Sequence, residues 1–205
     1  MSDHYFSRRP GSRGKLGLIR CRLRGSEFEF YTSSGVFSSR RVDNGTRLLV
    51  ESMELPEGGL LLDMGCGYGV IGIVAARLRP ELTVYMTDVN ERAVGLAERS
   101  AERNRVANVV VRAGDLYGPV EGLAFDGIVS NPPISAGLRA VVGPLVAGAA
   151  DRLVEGGSLQ VVVQSNKGGR SVAGLMEDAF GGVEVVARGG GYRVLRSVRV
   201  SPGGV

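Results

Sequence analysis

The stretch that decides the fold is Asp63-Met64-Gly65-Cys66-Gly67-Tyr68-Gly69-Val70-Ile71-Gly72, which directly follows three leucines at 60–62. The leucines are typical of a short buried strand, and Val70–Leu78 has the pattern of a helix. Alternate glycines between the two allow a tight turn and let a ligand approach the backbone closely. The helix that follows would point its N-terminus at that ligand. The stretch therefore predicts a ligand site within an α/β fold.

Strand and helix patterns alternate after this turn. Further strands are predicted at 82–86, 109–111, 125–129 and 159–163, and helices at Glu91–Arg103, 138–154 and 172–180. Two consecutive strands, at 183–187 and 192–200, close the chain. This order predicts a Rossmann-like, mostly parallel seven-stranded sheet with an antiparallel C-terminal hairpin at its edge.

The N-terminal part has a different pattern. Residues 15–34 alternate as paired strands do, with Gly25-Ser26 as the turn, which predicts an added β-hairpin. Thr46 is predicted to cap a short helix. We therefore expect a basic flexible tail at 1–14 and a single domain at 15–205. Within that domain, a hairpin and loop at 15–45 precede a core at 46–205.

Composition excludes several classes of protein. The chain has 205 residues, of which two are cysteines and one is a histidine. These numbers argue against a disulfide framework, a four-cysteine zinc site, a His-rich metal site and a Ser-His-Asp triad, and we expect no metal. No apolar run reaches the roughly 20 residues of a membrane span. The N-terminus lacks the apolar core of a signal peptide, so we expect no membrane association and a cytoplasmic location.

Charge is distributed unevenly along the chain. The formal net charge is +4, and all 25 basic residues except Lys15 and Lys167 are arginines. The first fifty residues carry ten basic and four acidic side chains, and the last twenty carry four arginines and no acidic residue, whereas the middle of the chain is mildly acidic. Basic flanks are typical of nucleic-acid binding, but a solvated surface explains them equally well.

Polar side chains follow the predicted parallel strands where each strand ends. Asp63, Asp88, Asp115 and Asn131 all lie at or just beyond such ends. In open α/β sheets, ligands bind beyond the carboxyl ends of the strands. Asp88 ends the second strand of the core, where a carboxylate can accept hydrogen bonds from ribose hydroxyls.

Two cofactors compete for the glycine-rich turn. Gly67-x-Gly69-x-x-Gly72 matches the dinucleotide fingerprint, although that pattern alone is weak. Asp63 would repel a pyrophosphate but would tolerate a ligand that carries an ammonium group. The carboxylate therefore favours a ligand with an ammonium group over NAD, and the resemblance of the turn to a known family implies that this ligand is S-adenosyl-L-methionine (AdoMet). Cys66 could be a nucleophile, but a small side chain in a crowded loop explains it better.

A second motif, Ser130-Asn131-Pro132-Pro133-Ile134, follows the fourth strand of the core. The simplest interpretation is a proline-stiffened loop. The Asn131 side-chain oxygen and the Pro132 carbonyl could also accept hydrogen bonds from one exocyclic NH2 group. Orienting an amine in this way can supply on the order of 7–11 kcal/mol to a displacement reaction.

Both motifs resemble those of a known family. The D-x-G-x-G-x-G turn resembles motif I of class I AdoMet-dependent methyltransferases, and Asn-Pro-Pro-Ile resembles the (N/D/S)-P-P-(Y/F) motif of amino-group methyltransferases. The segments 34–38, 43–49, 164–169 and 190–195 are similar to those of one subgroup. That subgroup is the small-subunit ribosomal RNA guanine-N2 methyltransferases (RsmC-like), in their short single-domain form.

The resemblance implies a function and a set of site residues. The expected reaction is methyl transfer from AdoMet to guanine N2 of small-subunit ribosomal RNA, free or in the assembling subunit. The residues that would hold AdoMet are Asp63, Gly65, Cys66, Gly67, Gly69, Asp88, Val89, Asp115 and Leu116. Those that would grip the target amine are Asn131, Pro132 and Pro133, and those that would contact the substrate are Phe37, Ile134 and Lys167.

The sequence departs from this family in two respects and leaves two alternatives open. The long form of the family carries an extra N-terminal domain that helps to recognise RNA, whereas only the basic hairpin is expected here. Ile134 replaces the aromatic residue that usually stacks on the target base, and Phe37 or Tyr68 could take its place. A protein glutamine amide would also suit the Asn-Pro-Pro geometry. A non-catalytic RNA-binding assembly factor that keeps the fold is the second alternative.

Overall fold

A computed structural model describes residues 15–134 and 137–200 of the chain. The strands are β1 (Leu16–Leu23), β2 (Ser26–Ser33), β3 (Gly59–Met64), β4 (Leu82–Asp88), β5 (Val109–Ala113), β6 (Phe125–Ser130), β7 (Leu153–Gln164), β8 (Glu184–Gly189) and β9 (Tyr192–Val198). The α-helices are α1 (Asn44–Ser52), α2 (Val70–Leu78), α3 (Glu91–Arg103), α4 (Gly143–Arg152) and α5 (Gly169–Phe180). The proposed tail at 1–14 lies outside the described residues, and the division of 15–205 into hairpin and core stays a prediction.

Seven strands form one sheet in the order β5-β4-β3-β6-β7-β9-β8. The first five strands of this order run parallel, whereas β9 is antiparallel to both β7 and β8. This arrangement confirms the predicted sheet and its C-terminal edge hairpin. The chain order reverses between β3 and β6, so their carboxyl ends flank a topological switch point, where α/β sheets bind ligands.

Helices cover both faces of the sheet because its strands are apolar on both sides. Leu61 and Met86 pack with α1, α2, α3 and the N-terminal hairpin on one face. Leu62 and Tyr85 pack with α4 and α5 on the other. None of the helices within the described ranges is long and apolar enough to cross a membrane.

The N-terminal hairpin forms a separate two-stranded sheet of β1 and β2, as predicted. Its turn is Arg24-Gly25, with φ of 48° and 78°, and not Gly25-Ser26. Two successive positive φ values match the twist of paired strands, so Ser26 is free to begin β2.

Polar side chains of α3 hold the hairpin against the core. The backbone N–H of Tyr31 donates to Ser100 Oγ at 3.0 Å, and that of Glu29 donates to Asn104 Oδ1 at 3.1 Å. Asn104 Nδ2 donates in return to the Glu29 carbonyl at 2.7 Å. The loop that follows β2 is thereby fixed over the carboxyl edge of the sheet.

Further predicted boundaries were wrong. Asp43, not Thr46, caps α1, because its carboxylate accepts hydrogen bonds from the backbone N–H groups of Gly45 and Thr46. The helix predicted at 138–154 is one turn of π-helix (Leu138–Val142) followed by α4, which ends at Arg152. Leu153 is instead the first residue of β7, because it is buried and its backbone pairs with that of Phe125.

Candidate active site at the carboxyl edge of the sheet

A cavity of about 400 Å³ lies at the carboxyl ends of β3, β4 and β6, below the loop between β2 and α1. Its volume is in the range of small-molecule sites. Eleven of the predicted site residues lie on its wall: Phe37, Gly65, Cys66, Gly67, Asp88, Val89, Asp115, Leu116, Asn131, Pro132 and Pro133. The neighbouring carboxyl ends of the strands therefore bring most of the predicted residues together.

The glycine-rich turn forms one side of the cavity. Gly65 and Gly67 have φ of 72° and 57°, and a Cβ built on either would meet no described atom within 4 Å. The backbone N–H groups of Gly65 and Cys66 donate to the Thr87 carbonyl at 2.8 and 2.9 Å. The turn is thus tied to β4 while its glycines face open space, as close approach of a ligand requires.

Gly69 has a different role in the structure. It lies off the cavity wall and is the N-cap of α2, with φ of 92°. A Cβ there would lie 2.9 Å from Ile73 Cδ1 and 3.2 Å from Ala97 Cβ. Gly69 therefore allows α2 to pack closely against α3.

Asp63 lies behind the turn, off the cavity wall, and its side chain is completely buried. Its Oδ2 accepts a hydrogen bond from the Gly72 N–H at 2.8 Å, whereas Oδ1 has no partner among the described residues. Burial raises the pKa of this carboxyl to about 7. The hydrogen bond from Gly72 lowers the pKa, and the charge of Asp88 raises it further. A buried acceptor of this kind is costly unless a donor, such as a ligand ammonium, completes it.

Asp88 is held in one orientation at the end of β4. Its Oδ2 accepts from the Gly67 N–H at 2.9 Å, and its Oδ1 accepts from the Asn90 N–H at 2.8 Å. Burial raises the pKa of Asp88, and the two backbone hydrogen bonds oppose that rise. Since both oxygens have further lone pairs, the carboxylate can still accept from a ligand in the cavity.

Asn131 lies on the cavity wall directly after β6, the strand that neighbours β3. Its Nδ2 donates to Asp43 Oδ2 and to Thr46 Oγ1, both at 2.9 Å. The two prolines that follow contribute no N–H group, so this part of the wall offers the Asn131 side-chain oxygen and the Pro132 carbonyl as acceptors.

The two candidate stacking residues, Phe37 and Tyr68, differ in how far their side chains are exposed. Phe37 is on the cavity wall and 44% exposed. Tyr68 is also on the wall but only 4% exposed, and its hydroxyl donates to the Ser38 carbonyl at 3.3 Å. Phe37 is therefore the better placed of the two, while Tyr68 holds the loop above the cavity.

Ile134 and Lys167 both lie off the cavity wall. Ile134 packs against Gly168, where an added Cβ would lie 2.9 Å from Ile134 Cγ2. Lys167 is exposed, and its backbone N–H donates to the Gln164 carbonyl at 3.3 Å. Their contact with substrate stays a prediction.

The Cys66 thiol is unsuited to nucleophilic attack. It is buried, and burial raises its pKa well above the ordinary value. The nearby carboxylates of Asp88 and Asp63 raise the pKa further. Because the thiolate is the reactive form, Cys66 is better explained as a small side chain in the turn.

Sequence reasoning missed several wall residues. Asn90 accepts from the backbone of Arg92 and Ala93 as the cap of α3, and its Nδ2 donates to the Gly35 carbonyl at 3.1 Å. An asparagine directly before a helical pattern is a recognisable capping signal. The others carry no such local signal, since tertiary packing alone places them there: Val36, Ser38, Thr46, Met64, Thr87, Ala93, Gly114, Ser130, Val141 and Leu145.

Comparison with known proteins identifies the family. The sequence profile of the methyltransferase small domain matches residues 27–196. The chain belongs to the methyltransferase small domain family. It is therefore an AdoMet-dependent methyltransferase. Within this family it is 40% identical over 202 residues to the Bacillus subtilis protein YbxB, covering 98% of this chain and 100% of YbxB.

Other relatives of this methyltransferase are longer. It is 36% identical over 171 residues to ribosomal RNA small subunit methyltransferase C of Mannheimia succiniciproducens, covering 82% of this chain and 50% of the relative. A solved structure of the Thermus thermophilus 16S rRNA N2 methyltransferase RsmC, in complex with AdoMet and guanosine, is 27% identical with a TM-score of 0.81. That match covers 90% of this chain and 50% of the other. The chain thus spans about half the length of the RsmC relatives, and the predicted family resemblance is confirmed.

The cavity of this methyltransferase fits AdoMet. The open glycines Gly65 and Gly67 leave room for the cofactor beside the backbone. Asp88 offers a fixed carboxylate beside them. AdoMet, when bound, supplies a methyl group on a positively charged sulfur. Within residues 15–134 and 137–200, no three His, Cys, Asp or Glu side chains form a cluster that could hold a metal ion.

Proposed function

We propose that this methyltransferase transfers a methyl group to an exocyclic amino group of a base in RNA, and specifically to guanine N2 of small-subunit ribosomal RNA. The observation that carries the proposal is the pair of acceptors at Asn131 and Pro132, which line the same cavity as the glycine-rich turn. The assigned roles of Asp63, Asp88 and Asp115 in holding AdoMet belong to the same proposal.

The two acceptors would orient the target amine. The Asn131 oxygen and the Pro132 carbonyl each accept one N–H of the amino group, so its lone pair points towards the methyl carbon. A new C–N bond forms as the C–S bond breaks, and the bonding electrons stay on the sulfur. One proton then leaves the amine for water. Such a displacement depends chiefly on positioning, which needs no strong base.

A basic rim around the cavity supports RNA as the substrate. We give this name to the exposed side chains that follow β2, β6 and β7 at the carboxyl edge of the sheet: Arg40, Arg41, Arg139, Lys167 and Arg170. None of the five forms an ion pair within the described part of the chain. They are therefore available for phosphate groups, which bind guanidinium and ammonium groups strongly.

Three further features support the nucleic-acid substrate. Phe37, exposed at the cavity, gives a base a ring on which to stack. The RsmC relatives are named as ribosomal RNA methyltransferases, and the Thermus structure is a complex with AdoMet and guanosine. A protein glutamine amide would need the same two acceptors but no basic rim.

The test is an incubation with labelled AdoMet and under-methylated small ribosomal subunits, with free ribosomal RNA and transfer RNA in parallel. The products are digested and the nucleosides identified. We expect N2-methylguanosine from the small subunit or its RNA. Another methylated base amine would correct the target base, and label in protein would favour the glutamine alternative. If the protein bound AdoMet but labelled nothing, the assembly-factor alternative would replace this proposal.

A further inference from the structure

We propose that Asp43 and Thr46 are positioning residues for the reaction, because they fix the side-chain amide of Asn131 with its oxygen towards the target amine. This inference rests on the proposed function. It assigns a role to two residues that act through Asn131 and are not themselves the acceptors of the target amine. Asp43 lies 88 residues before Asn131 in the chain, in the loop that connects the hairpin to α1.

The contacts form one closed arrangement, which we call the amide clamp (Asp43, Thr46 and Asn131). Asp43 Oδ2 accepts from Asn131 Nδ2 at 2.9 Å, from the Thr46 backbone N–H at 2.8 Å and from Thr46 Oγ1 at 2.6 Å. Thr46 Oγ1 also accepts from Asn131 Nδ2 at 2.9 Å. Since the threonine proton is given to Asp43, its lone pairs face Asn131.

The clamp discriminates between the two ends of the amide. Both partners present only oxygen lone pairs to Asn131, so they accept its NH2 group and would repel its oxygen. A side chain rotated by 180° would lose both hydrogen bonds and would turn NH2 towards the amine, donor against donor. The clamp therefore keeps Asn131 in the one orientation that can accept from substrate.

The clamp is also anchored in the core. The Tyr192 ring lies against Gly45, where an added Cβ would approach its Cδ1 and Cε1 to 2.8 Å. The Tyr192 hydroxyl accepts from Gln164 Nε2 at 3.0 Å, which joins β9 to β7 at this point. Asp43 Oδ1 accepts from the Gly45 N–H at 2.9 Å, so the start of α1 and the clamp are fixed together.

The first test compares Thr46→Val with Thr46→Ser. Valine keeps the branched shape but removes the hydroxyl, so we expect kcat to fall roughly tenfold or more while the Kd for AdoMet stays within about twofold. Serine keeps the hydroxyl and should rescue most of the lost turnover. Equal kcat for the valine variant and the wild type would overturn the proposal, as would an equal loss in both variants.

A second variant distinguishes the contact of Asp43 with Asn131 from its role as the cap of α1. Asp43→Ser keeps a good capping residue for α1, but its hydroxyl is one bond too short to reach Asn131. We expect a fall in kcat like that of Thr46→Val, with a midpoint of thermal unfolding close to that of the wild type. A fall in kcat that appears only together with loss of the fold would count against the clamp.

A readout without substrate distinguishes failure of the clamp from failure of the proposed function. The side-chain NH2 signals of Asn131 can be assigned by their loss in an Asn131→Ser variant. We expect slow hydrogen exchange of these protons in the wild type and faster exchange in Thr46→Val and Asp43→Ser. Unchanged exchange would overturn the clamp. A protected amide in a protein that methylates no amine would overturn the proposed function instead, and with it the catalytic purpose of the clamp.

Discussion

The Asp88 carboxylate and the Gly67 backbone N–H lie 2.9 Å apart and connect the end of β4 to the glycine-rich turn after β3. The other Asp88 oxygen accepts a hydrogen bond from the backbone N–H of Asn90, the cap of α3. One side chain therefore fixes two neighbouring walls of the cavity relative to each other. Few substitutions preserve this, because both oxygens must be acceptors.

Replacing Asp88 by asparagine should weaken AdoMet binding. The amide has one acceptor, so its NH2 must face either the Gly67 or the Asn90 N–H group, donor against donor. We expect the Kd measured by calorimetry to rise roughly 10- to 100-fold, the effect of one or two lost hydrogen bonds. Asp178→Asn, on the exposed face of α5, is the matched control and should bind as the wild type does. Equal Kd values for both variants would remove Asp88 from the cofactor site.

Replacing Asn131 by alanine should separate binding from chemistry. The glycine-rich turn and Asp88 remain, so we expect the AdoMet Kd to stay within a factor of a few. Turnover should fall at least about a hundredfold, since the amine loses one of its two orienting acceptors. Steady-state rates with small subunits as substrate, combined with calorimetry, measure both quantities. Turnover near that of the wild type would show that another group orients the amine.

Asp63 should make stability depend on pH. Its pKa is about 7 in the folded protein and well below that in the unfolded chain, so between these values the folded state binds more protons. Stability from this group therefore falls as the pH rises through this window, and is lowest above about 7. An Asp63→Asn variant keeps an acceptor for Gly72 and does not ionise.

The comparison of wild type and Asp63→Asn in urea tests this. From about pH 5 to about pH 8, the difference in unfolding free energy should move in favour of the variant by on the order of 2 kcal/mol. Both proteins are measured without AdoMet, since a bound ammonium would stabilise the charged carboxylate. A pH-independent difference would contradict the raised pKa.

The basic rim should set the salt dependence of RNA binding. Replacing Arg40 and Arg41 together by glutamine should weaken RNA binding at low salt and reduce the slope of log K against log salt by about two. AdoMet binding should be unaffected. The control replaces Arg79 and Arg105, exposed arginines that precede β4 and β5 at the opposite edge of the sheet. Equal slopes for both double variants would mean that RNA does not approach from the rim.

The parts of the site that sequence could predict are those encoded locally. Glycines at alternate positions after a strand, and acids at strand ends, have local causes, so Gly65, Gly67, Asp88 and Asp115 were correctly expected at one edge of the sheet. The parallel strand order then brings them together without further information.

The parts that sequence could not predict depend on distant partners. Asp43 and Thr46 both suit a helix cap, and their shared contact with Asn131, 88 and 85 residues further along the chain, has no local signal. Ile134 follows the Asn-Pro-Pro motif directly, yet packing against Gly168 takes it off the cavity wall. The start of β7 at Leu153 was missed because its strand pairing, with Phe125, is likewise long-range.

The hydrogen bonds from β2 to α3 also bear on the behaviour of the protein at high concentration. The backbone N–H groups of Glu29 and Tyr31 that point away from β1 already donate to the side chains of Asn104 and Ser100. Open strand edges are templates for pairing with a second chain and so for aggregation. Here a helix occupies the place where a foreign strand would add, so the hairpin can shape the active site without becoming a point of self-association along that edge.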